Sequence, residues 1–198
     1  MNRPNPGYDH TAVEDFEEML PDRPGDETWQ LIGGRVVAMA AGGRWEHHQI
    51  VGNLQLALAN HFRRRGMPCR VFRETFWLRE PALALQVLPD IMVHAGPLEP
   101  RQASISDPIV VIEVVSRGSA YRDRQEKRAL YQKLPSVQEI ALVALDAPAV
   151  ELVRRGEADD WVLRTLEGID AVLRLESIGF AAPLAELYLD VLPEAGAR

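Results

Sequence analysis

The most restrictive stretch of the chain is IVVIEVV, from Ile109 to Val115. Near-continuous aliphatic character over seven residues marks a strand buried on both faces. A second such run, IALVAL, spans Ile140 to Leu145. Between them, Ser119 to Leu134 reads as a helix with Ala129, Leu130 and Leu134 on its apolar side and Pro135 at its end. This pattern predicts a mixed α/β domain around one sheet. The first run contains one charge, Glu113. An ionised carboxylate among aliphatics loses hydration that they do not replace. It must face a solvated cleft, pair with an arginine or hold a cation.

The remaining elements extend this frame. Thr11 to Leu20 reads as a short helix, with Thr11 and Glu14 placed for a capping box and Pro21 as the stop. Trp29 to Ala40 reads as a hairpin turning at Gly33-Gly34. Trp45 to Arg65 reads as a long helix: Ile50, Leu54, Leu58 and Phe62 recur every four residues, and Gly66 follows Arg63-Arg64-Arg65. Arg70 to Arg79 alternates like a strand, and IMVH after Pro89-Asp90 is a short one. AVELVRR and WVLRTLE form a hairpin, VLRL a further strand, and Pro183 to Leu192 a last short helix. No internal boundary is visible, so residues 1–198 are expected to form a single domain with a frayed end over residues 1–10.

Charge and composition exclude several classes. The single cysteine, Cys69, rules out an internal disulfide and a cysteine-rich zinc site. Among the 22 basic residues only Lys127 and Lys133 are lysines. The net charge of -7 hides a split. Residues 1–30 carry 8 acids against 2 bases, while residues 35–133 carry 15 bases against 9 acids. A basic middle suits a polyanion, with Arg63 to Arg65, Arg70, Arg73 and Arg122 to Arg128 as candidate contacts, although ordinary surface variation explains it equally well. No run approaches the roughly 18–20 apolar residues of a membrane helix, and no secretory pattern opens the chain, so a cytoplasmic protein is expected. A phosphate-binding loop, a dinucleotide fingerprint and a serine-hydrolase elbow are all missing. His47 and His48 are adjacent, so helical geometry is expected to point them about 100° apart and prevent their sharing an ion.

Two carboxylates and a lysine remain as chemistry. Asp90 opens a strand, Glu113 interrupts one, and Asp123, Lys127 and Tyr131 share one face of the next helix at four-residue spacing. Hard oxygen ligands hold Mg²⁺, and a nearby ammonium can orient water or offset phosphate charge.

At these residues the chain resembles the Uma-type putative restriction endonuclease family, a bacterial group within the PD-(D/E)XK nuclease superfamily. The matching pieces are WQLIGGRVVAMA, HHQIVGNLQLAL, LPDIMV, DPIVVIEVVSRGS, DRQEKRALYQKLPSVQEIALV and LESIGFAAPLAELY, in order between about Thr11 and Val191. The resemblance implies a restriction-endonuclease-like mixed central sheet flanked by helices, here with an N-terminal hairpin and a β-rich C-terminal extension. It implies an endodeoxyribonuclease dependent on Mg²⁺, with Mn²⁺ as a substitute, working on DNA as a homodimer. Asp90 matches the family's Pro-Asp motif and Glu113 the acid of its Glu-x-Lys-like motif; with the Val114 carbonyl they are the implied metal ligands. Lys127 is the implied catalytic lysine, and His47, Asp123 and Tyr131 are accessory. The chain departs from the pattern at two places. Val115 stands where the superfamily has its lysine, so Lys127 must reach back from the helix. Gln30 stands where the family often has an acid. The alternative reading is therefore a catalytically inactive nuclease-fold protein serving as a binding or assembly module.

Overall fold

A computed structural model describes residues 10–40, 42–116, 121–157 and 160–191, without the side chains of residues 40 and 121–124. The expected frayed end therefore lies, apart from His10, outside the described residues, and so does the side chain of Asp123.

The aliphatic runs form the centre, as expected. Strands β8 (Val110–Val115) and β9 (Glu139–Ala144) pair in parallel, and α3 (Tyr121–Tyr131) is the crossover between them. They sit inside a six-stranded sheet ordered β11-β10-β9-β8-β6-β3, where β3 is Arg70–Arg73, β6 Ile91–His94, β10 Ala149–Arg155 and β11 Trp161–Glu167. Helix α2 (Trp45–Arg65) covers one face, with Ile50, Leu54, Leu58 and Phe62 buried against Ile91, Val93, Val110 and Ile112. Each such side chain stabilises the fold by about 1.5–3 kcal/mol. Gly66 ends α2 in the left-handed conformation with φ 62°, as its position predicts. The C-terminal hairpin of β12 (Val172–Leu175) and β13 (Phe180–Pro183) closes the same core.

The expectation of one sheet is corrected. The other face of the six-stranded sheet meets α3 and a second, five-stranded sheet ordered β2-β1-β5-β4-β7. In it β1 is Glu27–Ile32, β2 Arg35–Ala40, β4 Trp77–Glu80, β5 Leu85–Val87 and β7 Ser104–Ile105. Gly33 and Gly34, at φ 58° and 85°, make the hairpin turn between β1 and β2. The single strand expected over Arg70 to Arg79 is two strands in different sheets. The amides of Thr75 and Phe76 both bond to the Arg73 carbonyl, turning the chain without a glycine or proline. Phe72 and Phe76 stack across that turn at 4.2 Å, so the period-two pattern runs on through a corner.

Three boundaries also move. Helix α1 (Val13–Met19) is capped by Ala12, with no side-chain cap bond. The Thr11 amide instead bonds to Gly34 O at 2.8 Å, and Glu14 pairs with Arg79. Helix α3 ends at Tyr131, because the amides of Lys133 and Leu134 bond to carbonyls three residues back and tighten the last turn. Helix α4 is only Leu184–Leu187; Pro183 belongs to β13, and Asp190 turns left-handed at φ 62°.

Candidate active site

Strand alternation decides where Glu113 points. Val110, Ile112 and Val114 pack toward α2, whereas Val111 and Val115 join the cluster that contains Tyr131 of α3. Glu113 shares this second face. It is 8% exposed, and α3 supplies both of its side-chain partners. The Tyr131 hydroxyl donates to Glu113 Oε1 at 2.7 Å, and the Lys127 ammonium donates to the same oxygen at 3.2 Å. The four-residue spacing of Lys127 and Tyr131 puts both above one strand position. Among the described residues, Glu113 is thus paired with the rare lysine and not with one of the many arginines.

Asp90 arrives from the neighbouring strand. It immediately precedes β6, whose Ile91 is in register with Ile112 of β8. The Val114 amide donates to Asp90 Oδ2 at 2.6 Å, so the side chain extends the β6–β8 ladder by one bond. The head of α2 completes the group: His47 Nε2 lies 3.2 Å from the same Asp90 oxygen. Asp90, Glu113, Val114, Lys127, Tyr131, His47 and Gln30 all line one cavity of about 540 Å³. Gln30 is buried there on β1 with no hydrogen-bond partner for Oε1 among the described residues. Val115 lines the cavity too, and the Lys127 ammonium supplies the positive charge that Val115 lacks.

The charges are strongly coupled. Burial pushes the Glu113 carboxyl above its ordinary value; Lys127 opposes this, Asp90 pushes it further up, and the Tyr131 bond pulls it down. Burial and the Glu113 charge raise the Tyr131 phenol well above its usual range. The bond to Asp90 raises the His47 imidazole against the opposing effect of burial. Two acids that repel across one cavity, with hard oxygen donors, fit a divalent cation.

Other expectations fall differently. Arg63 to Arg65 occupy the far end of α2, about 24 Å or more from His47 at 1.5 Å per residue. They are not at the cavity, whereas Arg44 and Arg128 line it. The expectation that His47 and His48 diverge is also corrected. Their ring centroids are 5.6 Å apart, and one nitrogen of each lies within 4.8 Å of the other and of a Glu74 oxygen. Glu74 sits at the corner between β3 and β4, and reading Arg70 to Arg79 as one strand hid it. The only signal was its place one residue past a basic strand end, which points nowhere without the turn.

The six-stranded sheet is mixed, with α2 on one face and α3 on the other, and Lys127 reaches Glu113 from the crossover helix. The structure is similar to the crystal structure of a putative nuclease belonging to DUF820 from Anabaena variabilis ATCC 29413. That match has a TM-score of 0.69 and 15% identity, covering 89% of this chain and 97% of the other. The family model Uma2, "Putative restriction endonuclease", matches residues 13–185, and the chain belongs to this family. Two proteins of Synechocystis sp. (strain ATCC 27184 / PCC 6803 / Kazusa) are similar in sequence. The uncharacterized protein slr1290 is 25% identical over 82% of this chain and 84% of its own length; for sll1609 the figures are 26%, 78% and 88%. A restriction-endonuclease family implies the use of a divalent metal in general. No helix among the described residues is long and apolar enough to cross a membrane.

Proposed function

We propose that this protein is a metal-dependent endonuclease that hydrolyses DNA phosphodiester bonds. The observation that supports it most is the Lys127 ammonium at 3.2 Å from Glu113, in a cavity that Asp90 shares. Asp90, Glu113 and the Val114 carbonyl would hold the cation, Mg²⁺ or Mn²⁺. Bound there, a divalent ion lowers the pKa of an attacking water and offsets charge on the phosphate. The chain's own residues do the rest. Tyr131 fixes Glu113 by its 2.7 Å bond and stays protonated because its phenol is raised. Lys127 opposes the rise that burial imposes on the Glu113 carboxyl and supplies rotatable donors for a water or a phosphate oxygen. His47 and the Val114 amide fix the orientation of Asp90. Arg44 and Arg128, on the cavity wall, are the cations placed for the phosphate backbone. On the same reading, two copies acting in the cytoplasm cut the two strands. Val115 adds no charge where the superfamily has its lysine, and Gln30 adds none where the family often has an acid; both favour the rival reading of a non-cutting binding module.

Plasmid nicking in Mg²⁺ or Mn²⁺ separates the two. The wild type nicks, and Glu113→Ala and Lys127→Ala each abolish nicking. Equal cleavage by all three proteins would overturn the mechanism. A wild type that binds plasmid but leaves it intact in both metals would favour the module.

A further inference from the structure

The cavity carries a second set of metal-ligating groups beside the acidic pair. We propose that His47, His48 and Glu74 form a cation site of their own, suited to a borderline transition metal such as Zn²⁺ or Co²⁺ in preference to Mg²⁺. One nitrogen from each ring and one Glu74 oxygen lie within 4.8 Å of one another. Metal–ligand bonds of about 2.0–2.2 Å place ligand atoms roughly 3–4 Å apart, so the group must contract a little. His48 and Glu74 can supply that movement: their side chains are 51% and 35% exposed, and His48 Nδ1 is already 3.7 Å from Glu74 Oε1.

His47 is the fixed member, and its surroundings match those of a ligating histidine. Such a ring donates its second N–H to a carboxylate, which sets the tautomer and leaves the other nitrogen's lone pair for the metal. His47 Nε2 lies 3.2 Å from Asp90 Oδ2. With a proton on Nε2, the lone pair sits on Nδ1, which is buried and without a hydrogen-bond partner among the described residues. A buried acceptor left unpaired is costly, and a cation would relieve it. The backbone passes close to both rings: a Cβ on Gly43 would lie 3.3 Å from His48 Nε2 and 3.8 Å from His47 Nδ1. The donor set of two imidazoles and one carboxylate favours Zn²⁺ or Co²⁺, whereas Mg²⁺ prefers an all-oxygen shell. The two sites meet at Asp90, but this one does not depend on phosphodiester chemistry.

The test uses tag-free, chelator-stripped full-length protein titrated with Co²⁺, followed by visible absorption and equilibrium dialysis. The wild type is expected to bind Co²⁺ with d–d bands of nitrogen ligation, and 10 mM Mg²⁺ should not displace it. Glu113→Gln should keep those bands and that affinity. His48→Ala and Glu74→Ala, both surface changes, should each weaken binding by more than about tenfold with unchanged circular dichroism, since even an orienting partner is worth roughly 10–100-fold. The proposal is overturned if Co²⁺ does not bind, if His48→Ala and Glu74→Ala bind it unchanged, if Glu113→Gln abolishes it, or if Mg²⁺ displaces it. Absence of nicking with Co²⁺ binding intact would sink the nuclease reading and leave this site standing.

Discussion

Replacing Lys127 with methionine isolates the charge that favours the ionised form of Glu113. Methionine fills the space of the lysine stem, while Glu113 keeps, among the described residues, the Tyr131 bond and still faces Asp90. At 3.2 Å and an effective dielectric constant of about 20, the lost attraction is about 5 kcal/mol before lysine desolvation is recovered. An unpaired Glu113 has an escape, because it can take a proton from solvent. From its ordinary value of 4.5, that costs about 0.7 kcal/mol at pH 5 and about 4.8 kcal/mol at pH 8. The sign follows from linkage. A carboxyl whose folded pKa is raised binds its proton more tightly in the folded state. Its favourable contribution is therefore complete below 4.5 and is lost as pH rises through the folded value. Lys127→Met raises that folded value further. The variant should lose under about 1 kcal/mol at pH 5 and about 3–5 kcal/mol at pH 8, the usual cost of breaking a buried pair. Urea unfolding in EDTA at pH 5, 6, 7 and 8, by tryptophan fluorescence, measures the difference between the two proteins so that other titrations cancel. A difference constant across that range would refute the assignment of Lys127 as the partner of Glu113.

Three further substitutions probe separate parts of the molecule. Tyr131→Phe removes the 2.7 Å bond to a buried carboxylate and should cost about 1.5–3 kcal/mol in urea unfolding. It should also move the acidic limb of any nicking profile to higher pH, because Glu113 loses a bond that favours its charged form. Glu139→Ala removes the acceptor of Arg154 Nε and of the amides of Glu176 and Ser177, while Arg154 keeps the Arg174 carbonyl and Glu176. A loss of about 3–5 kcal/mol, seen as a fall of about 6–20 °C in Tm, is expected with nicking at 25 °C unchanged. The Tyr188 hydroxyl donates to Ala144 O at 2.5 Å and accepts from Ala149 N, tying β9 to β10, and burial pushes its phenol up to about 12. Its raised folded pKa makes the wild type lose stability as pH climbs from 10 toward 12, and Tyr188→Phe should lack that decline in a differential urea titration.

What was legible in the residues is what depends on local pattern. The long helix over Trp45–Arg65 and the buried strands around Glu113 and Leu142 are written in hydrophobic period and in a terminal glycine. The convergence of Asp90, Glu113, Lys127 and Tyr131 could be expected because the acids stand at odd places in apolar strands and the helix spacing stacks Lys127 under Tyr131. What was illegible depends on where the chain turns without a turn residue. The corner at Glu74 uses Arg73, Glu74, Thr75 and Phe76, none of which announces a bend, so two sheets read as one. The pairing of His47 with His48 failed for a related reason. An angle of 100° about a helix axis describes Cβ directions, while flexible side chains at a helix end can still bring ring nitrogens together.

The two buried glutamates of the central sheet show why burial alone does not mark a site. Glu139 is fully buried at the start of β9, yet Arg154, two backbone amides and the Ser177 hydroxyl satisfy it. Its charge is consumed in joining β9 to β10 and to the turn after β12. Glu113 lies on the adjacent strand, with two donors on one oxygen and a second acid, Asp90, repelling it. The first arrangement spends its bonding capacity internally, and nothing is gained by adding a ligand. The second sets two acids that repel each other beside a cavity, where a cation would lower their energy. The same reasoning separates His61 from His47. His61 packs in the core with Nε2 against Ile178 O, whereas His47 Nδ1 has no hydrogen-bond partner among the described residues. At His47 Nδ1, and at Glu113 beside the repelling Asp90, the cavity has places that a ligand can complete.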